Sequence, residues 1–174
     1  MTESRAWLIQ ADSDYVAANR ILTTSDGLTF CHTIAKYQQA VEKSIKGLVA
    51  ALTESGVFGH QVGRPHEIER FMSVLCRLPR DPDYKSIQSQ IHGLLNETVR
   101  GEIHAIEALI PRWPRTGQLH ARNTEYPFND VPGSWRAPAE ADVFTRTEVD
   151  RFRQLAFRFV QGCKRIMSAL SRVH

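Results

Sequence analysis

Seven apolar residues, Phe30, Ile34, Tyr37, Val41, Ile45, Leu48 and Leu52, follow one another at steps of three and four. That spacing keeps them on one face of an α-helix and on neither face of a strand. A stripe this long must be covered, because apolar area removed from water contributes about 25 cal/mol per Å². The rest of the chain supplies the cover in the same form. Leu8, Ala11, Tyr15, Ala18 and Leu22 step by three and four before the turn residues "TTSDG". Ile87, Ile91, Leu94, Leu95, Val99, Ile103 and Ile106 predict one long helix from about Tyr84 to about Leu109. Val149, Phe152, Ala156, Phe159, Cys163, Ile166 and Leu170 predict a last helix, opened by "TRTE" as a capping box from Thr145 to Glu148. A shorter segment, "PHEIERFMSVLCRL", turns Ile68, Phe71, Met72 and Leu75 inward after the glycine-rich break "ESGVFGHQVGRP". No strand pattern and no internal repeat stands out. The expectation is all-α: a single up-and-down bundle of about five helices spanning 1–174. A chain of 174 residues suits one domain with a real core.

One stretch does not fit a helix. Residues 111–144, "PRWPRTGQLHARNTEYPFNDVPGSWRAPAEADVF", are rich in proline, glycine, asparagine and aspartate, which rules out one helix or a ladder of strands. Trp113, Tyr126, Phe128, Trp135 and Phe144 give it apolar anchors, so it reads as a long structured loop before the last helix. Trp113, Trp135, Tyr126 and Phe128 could also stack on a base beside Arg122.

Composition narrows the function classes. Apolar content of 42% and charged content of 24% are those of a globular protein. The polar start and the lack of any apolar run of about 20 residues point away from a secretory leader and a membrane span. Cys31, Cys76 and Cys163 are odd in number and far apart, so a reduced, cytoplasmic setting is expected, with no disulfide framework. No ligand spacing calls for a metal, no glycine-rich phosphate loop is present, and no cofactor is expected. His66 stands at a helix start, where capping or packing is its ordinary role.

The net charge of +3 permits a phosphate-bearing partner without demanding one. Two rows carry that charge. Lys36, Gln39, Lys43 and Lys46 line the polar side of the second helix, with Glu42 placed four residues before Lys46 for a surface pair. Arg151, Arg158, Arg165 and Arg172 recur every seven residues on the last helix, flanked by Arg153 and Lys164, with Gln154 and Gln161 between. Four guanidiniums on one line suit planar contacts to phosphates. The bland alternative for either row is a solvated helix back.

Three features together resemble the HEPN family, the helical nucleotide-binding domain named for higher eukaryotes and prokaryotes. One is "YQQAVEKSIKGL", Tyr37 to Leu48; the second is "PHEIERFM", residues 65–72; the third is "ARNTEYPFND", residues 121–130, before a loop and an arginine-rich last helix. The resemblance implies a helical bundle that commonly dimerises. Many such proteins are metal-independent ribonucleases, often toxins paired with a nucleotidyltransferase antitoxin; others have lost catalysis and bind nucleotides, RNA or proteins. Active members carry an arginine, then about four to six residues, then a histidine. A histidine can move the proton of a ribose 2′-OH, and an arginine can stabilise charge on the phosphate. At the matching place this chain has Arg122 and Asn123, but no histidine follows; the displaced pair Arg115 and His120 is the remaining catalytic candidate.

The leading expectation is therefore a dimeric, catalytically impaired HEPN-like protein that binds RNA or a nucleotide. Arg122, Asn123, Lys43, Lys46, Arg151, Arg158 and Arg165 would bind, with the 121–123 stretch and the last helix converging on one groove. The alternatives are an active ribonuclease using Arg115 and His120, and a helical interaction module that binds no nucleic acid.

Overall fold

A computed structural model of the chain describes residues 1–24, 28–57, 75, 84–111, 121–131 and 134–172. Among these lie five helices and one short hairpin: α1 (Glu3–Thr24), α2 (Phe30–Glu54), α3 (Lys85–Leu94), α4 (Glu97–Glu107), β1 (Phe128–Val131), β2 (Ser134–Arg136) and α5 (Arg146–Leu170). The fold is an all-α bundle.

Contacts between helices fix the direction of each rod. Ser4 meets Glu54 and Asn19 meets Tyr37, so α1 and α2 are antiparallel. Asp12 meets Lys164 and Tyr15 meets Phe157, so α5 is antiparallel to α1. Arg158 reaches Gly93 and Arg151 faces Glu102, so α3 and α4 run back along α5 as one broken rod. The result is up-down-up-down packing.

The predicted stripes form the core. Ile34, Tyr37, Val41, Ile45, Leu48 and Leu52 of α2 are fully buried, together with Phe159 and Cys163 of α5. Leu75, described within the 65–78 segment, is buried as well; Ile68, Phe71, Met72 and His66 lie outside the described residues. Burial pushes the Tyr37 phenol up to about 12, and its hydroxyl donates to Asn19 Oδ1 at 3.0 Å. Burial likewise raises the Cys31 and Cys163 thiols. At two places a helix glycine lets a neighbouring helix come close. A Cβ on Gly47 would come within 3.2 Å of the Ser4 carbonyl oxygen, and one on Gly162 within 2.8 Å of Leu94 Cδ1.

The helix ends follow local chemistry. Gly56, at φ 71°, closes α2: its N–H donates to Thr53 O while Val57 N–H donates to Leu52 O. This is a Schellman closure, and the left-handed turn it needs suits glycine. The capping box expected at Thr145 and Glu148 is present, each side chain bonded to the other's backbone N–H.

Two features depart from the sequence expectation. The helix expected over 84–109 is broken at Leu95–Asn96. Asn96 Oδ1 accepts the Val99 N–H and starts α4 afresh, with Glu97 in its first turn. The loop before the last helix holds a two-stranded antiparallel hairpin, with Phe128 opposite Arg136 and Val131 opposite Ser134. Of the aromatic anchors, Phe128 and Phe144 are buried, but Tyr126 and Trp135 face solvent; Trp113 lies outside the described residues.

Candidate anion-binding surface on the last helix

The lysine row of α2 is neutralised from inside the bundle. Asp14 of α1 is buried, and its carboxylate receives Lys36 Nζ at 3.1 Å and a very short bond from Lys43 Nζ. Burial works to raise the Asp14 pKa, but the bonds from Lys43 and Lys36 together outweigh it and hold the carboxyl below its ordinary value. Gln39 Oε1 accepts a further bond from Lys36 at 2.9 Å. Lys46 pairs with Glu42, as its spacing predicts, and its ammonium stands 5.1 Å from the centre of the Trp7 ring. Lys43 and Lys46 thus have anionic or aromatic partners already, and the row clamps α1 to α2.

Arg122 is committed in the same way. Its guanidinium donates to Val143 O and to Glu148 Oε1, both at 2.7 Å, and stacks 4.9 Å from the Phe144 ring centre. Glu148 also accepts from the Thr145 N–H at 2.9 Å. Partial burial opposes charge on Glu148, yet Arg122 and the Thr145 N–H hold its pKa below the ordinary value. Asn123 is buried and folds back on its own turn, its Oδ1 accepting the N–H groups of Glu125 and Tyr126. Together these bonds dock residues 121–126 on the start of α5. Arg115 and His120 lie outside the described residues.

The arginine line of α5 divides into two halves. Arg151 faces Glu102 of α4 at 3.6 Å. Arg158 donates to Gly93 O at 2.9 Å, satisfying a carbonyl that the end of α3 leaves without a helical donor. Arg100 does the same for Leu95 O at 3.2 Å. Beyond them, the guanidiniums of Arg165 and Arg172 have no partner among the described residues. They line a cleft of about 400 Å³ together with Gln90 of α3 and Gln161, Lys164, Ser168 and Ala169 of α5. Lys164 is shared with Asp12 of α1 at 2.7 Å.

The expected convergence of Arg122 with this surface does not occur. Arg122 binds at Glu148, and at about 1.5 Å rise per residue Glu148 and Arg165 are roughly 25 Å apart along the helix axis. Sequence reasoning missed Asp14, which neutralises the lysines, because a lone aspartate in an amphipathic helix looks solvated. It also missed Gln90, an ordinary polar residue that only the packing of α3 on α5 brings to Arg165, and Ser168, one turn further along α5.

Among the described residues, no helix is long and apolar enough to cross a membrane, and no cluster of histidine, cysteine, aspartate and glutamate is placed to hold a metal ion. Comparison with protein-family models, with curated proteins and with solved structures returned no match.

Proposed function

We propose that this chain is a HEPN-like, catalytically impaired protein that binds RNA or a nucleotide by its phosphates on the C-terminal half of α5. One observation carries the reading: two arginine side chains without a partner among the described residues, with a lysine beside them, line one cleft. Arginine presents a planar fork of donors that matches phosphate oxygens, and its cost of dehydration is lower than that of an ammonium. The impaired reading is supported by Arg122. It stands where the family's catalytic arginine falls, it is held by Glu148 and Val143, and no histidine follows it. The resemblance extends the proposal to a homodimer, with a nucleotidyltransferase-type partner in a toxin–antitoxin or defence setting.

A labelled single-stranded RNA titrated at two salt concentrations tests the binding. With Arg165, Arg172 and Lys164 each neutralising one phosphate, affinity falls about 18-fold between about 50 and about 200 mM salt. Affinity that ignores salt, or no binding of RNA or nucleotide at low salt, refutes the reading. Incubation with RNA in EDTA tests the impaired state. Cleavage abolished by His120→Ala would make the protein a metal-independent ribonuclease using Arg115 and His120.

The second reading is a helical interaction module. It is favoured by Val131 and Trp135, which the hairpin holds more than half exposed. If neither RNA nor nucleotide binds at low salt, this reading stands.

A further inference from the structure

The cationic cleft has a neighbour. On the other side of α5 a second cleft of about 680 Å³ opens between the start of α1, the end of α2 and the end of α5. Lys164 and Ser168 line both clefts, so these two side chains are the ridge between them. The chemistry of the two sides differs. The first carries Arg165, Arg172 and Lys164 and, among the described residues, no carboxylate. The second carries Leu8, Ala51, Met167 and Leu170, with Arg5 and Glu54 also lining it. Glu54 is fixed there because its two carboxylate oxygens accept the Ser4 N–H at 3.1 Å and the Ser4 hydroxyl at 2.5 Å.

We propose that the two clefts form one bipartite site for a mononucleotide, its phosphate held by Arg165 and Arg172 and its nucleoside seated against Leu8, Met167 and Leu170. This rests on the phosphate-binding reading above and sharpens it to a ligand class. Charge sorts the orientation. Lys164 is common to both sides, so the difference lies in the rest: a phosphate is drawn to Arg165 and Arg172 rather than to the side where Glu54 offsets Arg5. A nucleoside offers what the second side lacks: a flat ring face for the apolar lining, and hydroxyl or amino donors for the free lone pairs of Glu54. Ser55 and Ser171 add hydroxyls on the same side. Each cleft falls within the roughly 300–1,000 Å³ of small-molecule sites, whereas neither one could enclose a polynucleotide. Lys164 completes the arrangement by exchanging Asp12, on the surface of α1, for the incoming phosphate.

The test compares four probes by calorimetry and by backbone amide shifts: inorganic phosphate, a nucleoside, the corresponding 5′-mononucleotide and ribose 5-phosphate. The mononucleotide is expected to bind at least about tenfold more tightly than any of the other three, since only it fills both sides. Its amide shifts are expected at Ser4, Ala51 and Ser55 as well as along Gln161–Arg172. Inorganic phosphate is expected to shift the second set alone. Arg165→Ala with Arg172→Ala is expected to reduce the mononucleotide to the affinity of the nucleoside, while Arg151→Ala leaves it unchanged. Phosphate binding as tightly as the mononucleotide, or silent amides at Ser4, Ala51 and Ser55, overturns the bipartite site. Ribose 5-phosphate binding as tightly as the mononucleotide removes the nucleobase from it. If single-stranded RNA binds and the mononucleotide does not, this inference falls and the proposed function stands; if neither binds, both fall.

Discussion

Arg151 and Arg158 are seven residues apart on α5, as are Arg165 and Arg172, but the two pairs meet different neighbours. The first pair faces the end of α3 and the body of α4. A helix that stops there leaves carbonyl groups without intrahelical donors, and Glu102 adds a carboxylate. The second pair faces Gln90, within α3, where the carbonyls are already bonded along the helix. An arginine beside a helix end becomes a cap; the same arginine beside a helix wall keeps its five donors for something else. Sequence spacing alone does not separate the two, because the period of seven is identical. The break at Asn96 separates them, since it decides where α3 runs out of donors.

The largest effect is expected from reversing charge on the open pair. Arg165→Glu with Arg172→Glu places two carboxylates where a phosphate is to sit, and affinity for single-stranded RNA is expected to drop by roughly a hundredfold or more at low salt. Both side chains are exposed, so the melting temperature is expected to stay within a few degrees of the parent. Undiminished binding would show that the open pair is only solvated surface.

Next in size is Asp14→Ala, which leaves Lys36 and Lys43, both on α2, without their shared carboxylate at the α1–α2 seam. Breaking a buried pair costs about 3–5 kcal/mol, but both lysines reach water, so about 1–3 kcal/mol is expected by urea unfolding. RNA affinity is not expected to fall, because the substitution leaves Arg165 and Arg172 in place and removes no cation. The same carboxylate sets the acid limit. A carboxyl held below its ordinary pKa in the fold takes up its proton first in the unfolded chain. The stability from Asp14, and from Glu148 by the same sign, is complete above about pH 5 and is lost as the pH falls through the ordinary and then the lowered values. An unfolding midpoint flat from neutral pH down to about pH 3 would contradict this.

A smaller effect is expected from Arg158→Ala, which removes the donor to Gly93 O and leaves Arg165 and Arg172 in place. About 1 kcal/mol of stability is expected to go, with RNA affinity within a factor of two or so of the parent. A large loss of affinity would join the two halves of the line into one binding surface.

The core was legible because its signal is local. Steps of three and four named the buried residues of α1, α2 and α5, and "TRTE" named the cap, without knowledge of what packs on what. The helix break was legible in part: Asn96 followed by Glu97 and then Val99 is an N-cap pattern, but an unbroken apolar stripe from Ile87 to Ile106 hides it. The hairpin was hidden by length, since strands of four and three residues show too little alternation to register. The candidate site was the least legible part. Whether a lysine or arginine is free depends on whether a carboxylate or carbonyl from another helix reaches it. Asp14 is 29 residues from Lys43, and Gly93 is 65 from Arg158.

The smallest effect discriminates most between the two rows. Lys46 looks the best placed of the α2 lysines to hold an anion, because Glu42 is an ordinary surface partner and such i,i+4 pairs contribute only about 0.2–0.5 kcal/mol. A phosphate could compete with that carboxylate. Trp7 is the second partner, however, and a cation over an indole ring contributes a further 0.5–1 kcal/mol or so without competing for hydrogen bonds. Lys46→Gln is therefore expected to cost under about 1.5 kcal/mol of stability and to leave both RNA affinity and its salt slope unaltered. A slope flattened by about 0.7, the loss of one single-strand phosphate contact, would return the α2 row to the binding surface. It would also require the ligand to span from α2 to α5, past the Asp12–Lys164 pair that now lies between α1 and α5.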